Sequence, residues 1–451
     1  MKKLTGKNKH LFLITIILLI GSILLSNKQH ATADQTATTA QTTEKILVSI
    51  SNNTTSWNDD TLYTLDPNGS NKTPFFNLHS QPQLTTGQIY APRISGDHIY
   101  FHSEHAYIYT PARHNLFRLN TFRNNLDQIT PSPNAGVWGQ SGNSTVSGKV
   151  QQGNGTPWSN APVYLEGMDM VYTAADGTFS FHNVPAGPRW LVAYRPALDA
   201  FEARSITVVS NLHNTGLVLE PNSSARMNFE HPAVFNGRIY YSLYNEIQWT
   251  DANFAPPQTV YTSSADSCVG IPTIDAFDAG AMTGRLAIYD YQEGCGIGNN
   301  NHNGIYITDK DGNNKQLIVD MLADANWNNP ILPVEIFWSP TETFIAVKAS
   351  YSNYDHLLVY NTNGVLTGFA QADTTSQVLT LHGWSPDGKW LLYSEYDGDP
   401  AQATLGKIGV NPDGSLNYGS ITILLADQPI SGATWGNITI PQKVYLPFIV
   451  R

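Results

Sequence analysis

The 451-residue sequence has only two cysteines, Cys268 and Cys295, and only 14% of its residues are charged. Two thiols without histidines at finger spacing do not make a structural zinc site. Lys and Arg number 25 against 36 Asp and Glu, for a net charge of −11 with no basic stripe. That balance excludes the electrostatic footprint of a nucleic-acid binder and of a protein held on anionic lipid. The chain has no G-x-S-x-G nucleophile elbow, and no Walker A loop, H-E-x-x-H or dinucleotide-binding fingerprint. Gly294-Cys295-Gly296-Ile297-Gly298 is rich in glycine but has the wrong spacing. No catalytic residue, no metal-ligand set and no cofactor is assigned.

Long apolar runs are also scarce. Leu11 to Leu25 is the one extended run, preceded by Lys2, Lys3, Lys7 and Lys9 and followed by Ala31-Thr32-Ala33. It is short for a membrane span, which needs about 20 residues. The basic start, apolar middle and A-x-A site predict a signal peptide over 1–33, with an uncleaved N-terminal anchor as the alternative. Residues 34–45, rich in Thr, Ala and Gln, read as a linker. No later segment is long and apolar enough to span a bilayer. Export makes a Cys268–Cys295 disulfide the simplest expectation, worth roughly 3–4 kcal/mol by loop entropy. Two buried free thiols are the alternative. The predicted location is secreted or at the cell surface.

Repetition is what the chain does have. Gly383-Trp384-Ser385-Pro386-Asp387-Gly388-Lys389-Trp390 reads as a strand end, a tight turn and a new strand. Degraded copies lie around Trp338-Ser339-Pro340, Pro92 to Asp97, Pro232 to Gly237 and Pro272, and a last first-strand lies at Trp435. A second hairpin repeats as well: Tyr63 to Lys72 aligns without gaps on Tyr306 to Lys315, and Asn361 to Gly364 and Asn411 to Gly414 are similar. Two hairpins per unit of about 40–45 residues is the spacing of a propeller blade. The pattern resembles the TolB-like six-bladed propellers, whose blades carry a Trp-Ser-Pro-Asp-Gly-Lys turn. Residues 384–389 match that turn fully and 338–340 match its first half. The fold class expected is all-β: a six-bladed β-propeller over 46–140 and 225–440, closed by both chain ends, which leaves no open sheet edge.

The stretch from Pro92 to Pro232 is too long for one blade. Within 145–221, strands are expected at Val146–Val150 and Ala161–Leu165, a turn plus an alternating strand over Tyr172–Phe181, and strands at Trp190–Tyr194, Ser205–Val209 and Leu217–Leu219, about seven in all. Together they make an inserted seven-stranded β-sandwich. Ser147-Gly148-Lys149-Val150, Ala161-Pro162-Val163, Asp176-Gly177-Thr178-Phe179 and Val184-Pro185-Ala186-Gly187 resemble the carboxypeptidase regulatory-like domain. That resemblance implies a transthyretin-like, carbohydrate-binding-like fold used for folding or docking; sugar binding follows only by fold analogy.

Candidate ligand-binding residues are those expected on the innermost strands: Arg93, His231, Glu335 and His382, facing either a ligand or a solvated channel. Trp158, in a Gly/Pro/Ser loop of the insert, is the candidate for stacking on a sugar. His98 and His102, with Glu104 and His105, crowd one hairpin without supplying three converging metal ligands. Asp66 to Gly69 and Asp309 to Asn313 are oxygen-rich, but Asp-Gly and Asn-Gly are turn residues first. The apolar tail 441–451 reads as a final strand or a sorting signal. The function expected is non-enzymatic: an exported binding or scaffold protein for a carbohydrate or a protein/peptide ligand, without nucleic acid. The alternative is a propeller hydrolase or lyase working from the channel residues.

Overall fold

The computed structural model describes residues 37–52, 60–77, 88–103, 115–121, 125–129, 142–165, 168, 170–195, 200–221, 229–243, 246–251, 258–263, 272–292, 304–321, 332–351 and 353–444. Among these, regular structure is strand apart from one 3-10 turn at Pro400–Gln402. Residues 1–33, expected to be a signal peptide, Cys268, Cys295, Glu104, His105 and residues 445–451 lie outside the described residues. The chain divides into two compact units, Thr42–Thr439 and a second made of Met1–Gln41 with Ile440–Arg451. In the second unit the described residues are strand ends, 37–41 and 440–444.

The strands run β1 (Ala37–Ser51), β2 (Asp60–Leu65), β3 (Thr73–Asn77), then β4 (Tyr90–Ser95), β5 (His98–Ser103), β6 (Asn115–Asn120) and β7 (Asn125–Gln128). β8 (Ser144–Val150), β9 (Pro162–Leu165), β10 (Val171–Tyr172), β11 (Thr178–Val184), β12 (Gly187–Arg195), β13 (Ala200–Val208) and β14 (His213–Leu219) follow. Then come β15 (Phe229–Phe235), β16 (Arg238–Leu243), β17 (Glu246–Asp251) and β18 (Gln258–Thr262). The next four are β19 (Pro272–Ala279), β20 (Leu286–Gln292), β21 (Gly304–Thr308) and β22 (Gln316–Asp320). After these come β23 (Leu332–Trp338), β24 (Phe344–Tyr351), β25 (Tyr354–Asn361) and β26 (Leu366–Gln371). The last are β27 (Gln377–Trp384), β28 (Trp390–Asp397), β29 (Ala403–Val410), β30 (Leu416–Gln428) and β31 (Ile430–Val444).

Among the described residues, β4–β7, β15–β18, β19–β22, β23–β26 and β27–β30 each form a four-stranded antiparallel meander in chain order. A further four-stranded sheet has the order β3-β2-β1-β31, so strands from both ends of the chain share it. β1 begins at Ala37, within the stretch expected to be a linker. Its threonines are β-branched and fit a pleated strand, and Thr42 meets Thr439 of β31 at 3.2 Å, hydroxyl to hydroxyl.

The repeated turns have local causes. Ser385 Oγ accepts the Trp390 N–H at 3.0 Å, while Gly388 donates its N–H to the Ser385 carbonyl at φ +70°. Ser339 Oγ does the same for the Phe344 N–H at 3.0 Å. There Glu342, at φ +53°, stands where Gly388 stands in the later copy. Its carboxylate reaches back to the β19–β20 turn and accepts the N–H groups of Met282 and Thr283, each at 2.7 Å. Burial alone would raise the Glu342 carboxyl; these bonds, with Thr283 Oγ1 and Arg285, outweigh it and hold it below the usual carboxylate range.

The second repeated hairpin explains how one sheet seats on the next. Gly69, Gly312, Gly364 and Gly414 all have φ between +79° and +87°, and each donates its N–H three residues back, to Asp66, Asp309, Asn361 and Asn411. A Cβ at Gly312 would strike the Val260 carbonyl of β18, and one at Gly364 the Ile318 carbonyl of β22. A Cβ at Gly414 would meet Phe344, and one at Gly69 would lie 2.8 Å from the Leu424 carbonyl of β30. The missing side chain therefore serves twice, for the turn and for close approach to the preceding sheet. The Gly69 contact sets the first sheet of the chain against the last meander.

The insert consists of two sheets, β10-β9-β12-β13 and β11-β8-β14, with β14 parallel to β8. Val146, Val163, Leu165, Phe179, Phe181, Leu191 and Leu219 fill the space between them. Gly148 is confined by the Phe179 ring and by β14, and any side chain there would clash.

Replacing Gly364 with Ala is expected to cost about 2–4 kcal/mol, from positive-φ strain plus backbone overlap. Gly96, at φ +62° with open space around it, should lose only about 1 kcal/mol on the same change. Urea unfolding of the two variants measures the difference, and equal losses would show that the inter-sheet contact is unimportant.

Candidate ligand site among the first strands

The first strands of the meanders pack side by side: β4 with β15, β15 with β19, β19 with β23, and β23 with β27. Gly432 of β31 abuts Pro92 and the Ile89 carbonyl. A bulge interrupts pairing in each of β4, β15, β19, β23 and β27, at Tyr90/Arg93, Glu230/Ala233, Ile274/Ala276, Pro333/Glu335 and Leu381/Gly383. Bulges re-aim side chains and increase local twist. Two of them force non-glycine residues to positive φ, Ala91 at +42° and His231 at +52°. Each precedes a proline, Pro92 or Pro232, which restricts its backbone further.

Arg93, His231, Glu335 and His382, chosen from the sequence, line one cavity of about 280 Å³. Tyr90, His102 and Ser431 join them, as do the strained Ala91 and the ring of Phe337. A second cavity of about 390 Å³ is lined by Asp278, Trp384 and Asn437 and shares Arg93, Phe337 and His382 with the first. These three residues form the partition between the two. The Arg93 guanidinium lies over the Phe337 ring, 4.1 Å from its centroid.

Charge at the partition is set by burial. Burial pushes Glu335 up to about 7, against the opposing effects of the Leu381 N–H, Lys348 and Arg93. Asp278 is pushed up to about 6 for the same reason, although Arg93 and the Trp338 N–H favour its ionised form. Burial, with Arg93 second, holds His382 down at about 3, so its imidazole is neutral at physiological pH. His382 Nε2 and Ser394 Oγ are 2.9 Å apart. Burial also lowers Arg93, while Asp278 and Glu335 oppose that shift; arginine keeps its charge in proteins regardless.

Two residues here escaped the sequence reading. Asp278 follows an apolar stretch, Ala276-Phe277, and its signal was a lone acid late in a first strand that was read as centred near Pro272. His102 was weighed as a metal candidate; it is buried, lines the cavity, and its ring lies 6.0 Å from that of His231. His98 points elsewhere, with Nδ1 2.7 Å from Asp97 and Nε2 3.3 Å from Asn120. Among the described residues no group of three or more His, Cys, Asp or Glu is placed to hold a metal ion. The oxygen-rich loops are internally bonded: Asp309 Oδ1 accepts the N–H groups of Asp311 and Asn313, both at 2.9 Å, and Asp66 is bonded to Lys45 and Asn71. Trp158 is half-buried, and the Arg195 guanidinium covers its ring at 3.6 Å. That face is taken.

Residues 145–219 match the model of the carboxypeptidase regulatory-like domain. No curated protein matches the chain. Solved structures similar to it include a nidogen/laminin complex, at 9% identity and TM-score 0.43, covering 87% of this chain and 98% of that one. Another is a putative 6-phosphogluconolactonase from Bacteroides uniformis, at 12% identity and TM-score 0.41, covering 87% and 99%. A third is apo AztD from Citrobacter koseri, at 9% identity and TM-score 0.41, covering 89% and 99%. Likeness of this degree says nothing of function, and the architecture rests on the sheets themselves.

Glu335 holds its proton more firmly in the folded chain, at about 7, than at its ordinary value of 4.5. Its contribution to stability is therefore complete below about pH 4.5 and lost as pH rises through about 7. The Glu335→Gln variant cannot titrate there. Between pH 5 and pH 8 the wild-type chain should lose about 1–3 kcal/mol more unfolding free energy than the variant. Parallel pH profiles in urea titrations would show that Glu335 ionises normally.

Proposed function

We propose that this is an exported binding protein whose ligand enters the cavity formed by the first strands. Its architecture is read as a six-bladed propeller closed by both chain ends and similar to the TolB-like propellers. A carboxypeptidase regulatory-like sandwich is inserted at 145–221, between the propeller parts 46–140 and 225–440. The observation that carries this reading is the convergence of Arg93, His231, Glu335 and His382, from four separate sheets, on one cavity with strained backbone at its wall. Strain of this kind collects where a site must hold an unfavourable geometry, and a polar cavity at a meeting of repeated elements is the usual form of a ligand site.

The ligand class proposed is carbohydrate or peptide, met at the cell surface or outside the cell. The N-terminal 1–33 segment supports export through its sequence pattern; no helix among the described residues is long and apolar enough to cross a membrane. The sandwich serves as a docking or folding module. A second reading, a hydrolase or lyase, draws on Glu335 and Asp278, whose raised carboxyls suit proton transfer near neutral pH.

Binding of residues 34–451 to glycan and peptide arrays tests the proposal. Saturable binding that survives Trp158→Ala and is lost in His231→Ala or Glu335→Gln is expected. Binding lost in Trp158→Ala alone would move the site to the sandwich. Turnover of a bound glycan or peptide, abolished by Glu335→Gln, would establish the enzymatic reading instead.

A further inference from the structure

We propose that Arg93 is the anchor for a carboxylate on a small ligand, held in the cavity between β4, β15, β23 and β27. This rests on the reading of that cavity as a ligand site and names the group it recognises. Other arginines of the chain have partners: Arg238 meets Asp311, Arg285 meets Glu342, Arg204 meets Glu202, and Arg189 donates to the Pro185 carbonyl. Arg93 differs. Among the described residues its guanidinium makes no hydrogen bond or ion pair, and its one contact of note is the Phe337 ring beneath it. A guanidinium carries five N–H donors in a rigid fork; Arg93 is half-buried and none of its nitrogens is among the sealed-off polar atoms, so the fork is open to the cavity.

The neighbouring acids do not occupy that fork. Asp278 Oδ2 accepts the Trp338 N–H at 2.9 Å, and Glu335 Oε2 accepts the Leu381 N–H. Both are turned to backbone of the next strand and balance Arg93 only through space. Phe337 covers the guanidinium from one side at 4.1 Å, and a planar acceptor can pair with its N–H groups from the cavity. Carboxylate is the group whose two oxygens match that spacing. The cavities on the two sides of Arg93, about 280 and 390 Å³, lie at the lower end of ligand-pocket sizes, roughly 300–1,000 Å³. They suit a single sugar acid or a terminal amino acid rather than a long polymer. Ala91, two residues before Arg93, has φ +42°, so the segment that presents the cation is held in a conformation that sequence alone disfavours.

The test is calorimetric titration of residues 34–451 with two matched probe pairs: glucuronic acid against glucose, and Ala-Ala against Ala-Ala-amide. One acid is expected to bind saturably, with its neutral partner at least tenfold weaker; which pair responds identifies the source of the carboxylate. Arg93→Met should weaken the acid about ten- to a hundredfold, the size of a charge-assisted bidentate contact, with Arg93→Lys in between. Circular dichroism melts confirm that each variant folds, and if Arg93→Met does not, Arg93→Lys with the probe pairs decides. Equal binding of acid and neutral probes, or unchanged affinity in both variants, overturns the inference. If no acid binds while array ligands still do, Arg93 is not a carboxylate anchor, although the cavity reading stands. If arrays and probes both fail, the binding reading falls with it.

Discussion

Carboxylates that cross from one sheet to cap a backbone N–H of the next hold this structure in register. Asp60 accepts the Ile89 N–H at 2.8 Å, Asp278 the Trp338 N–H at 2.9 Å, and Asp355 the Leu379 N–H at 3.0 Å. Glu335 does the same for Leu381, and Glu342 for the turn at Met282 and Thr283. A sheet packed on a sheet through aliphatic side chains alone can slide, because the hydrophobic effect has no direction. A carboxylate fixed to one N–H cannot slide without leaving a buried charge unsolvated. The apolar clusters between sheets, such as Trp338 with Ile345 and Val347 or Trp384 with Leu379 and Leu391, then supply the bulk of the burial within a register already chosen.

That arrangement has a consequence at the first strands. Asp278 and Glu335 are spent on backbone, and burial raises their carboxyls to about 6 and about 7. Arg93 therefore sits in an acidic neighbourhood without being claimed by it. A neutral His382 and the Phe337 ring complete surroundings that give the Arg93 donors no hydrogen-bond partner among the described residues. The bulges and the two positive-φ residues before proline belong to the same region. They depart from ordinary strand geometry on the inner side of the sheets, as the register shifts of the outer strand pairs do on the other side.

Much of this was legible from residues. The first-strand markers Pro92, Pro232, Pro272, Trp338, Trp384 and Trp435 fall on β4, β15, β19, β23, β27 and β31, and Trp338 and Trp384 are the clearest because each directly precedes a turn whose chemistry is local. The glycines of the outer hairpins were legible as turn residues. Their second use, as contact points for the preceding sheet, was not, since nothing in Asp-Gly or Asn-Gly reports a carbonyl from another unit. Arg93, Glu335 and His382 were chosen by strand position alone, and they line one cavity. Asp278 was missed because a bulge shifts the strand by a residue, and alternation cannot be read across a bulge. Trp158 was picked for its polar loop, which gives no sign that Arg195, distant in sequence, covers one face of its ring.

Native-state hydrogen exchange at the capped amides tests the central claim most directly. The N–H groups of Ile89, Trp338 and Leu381 belong to different sheets and sit near the cavity, where local opening would be easiest. If the carboxylates bind the sheets into one cooperative unit, all three amides exchange only through global unfolding, with the free energy measured by urea. Exchange at any of them through a local opening several kcal/mol cheaper would contradict the account, since the sheets would then hold together without these bonds.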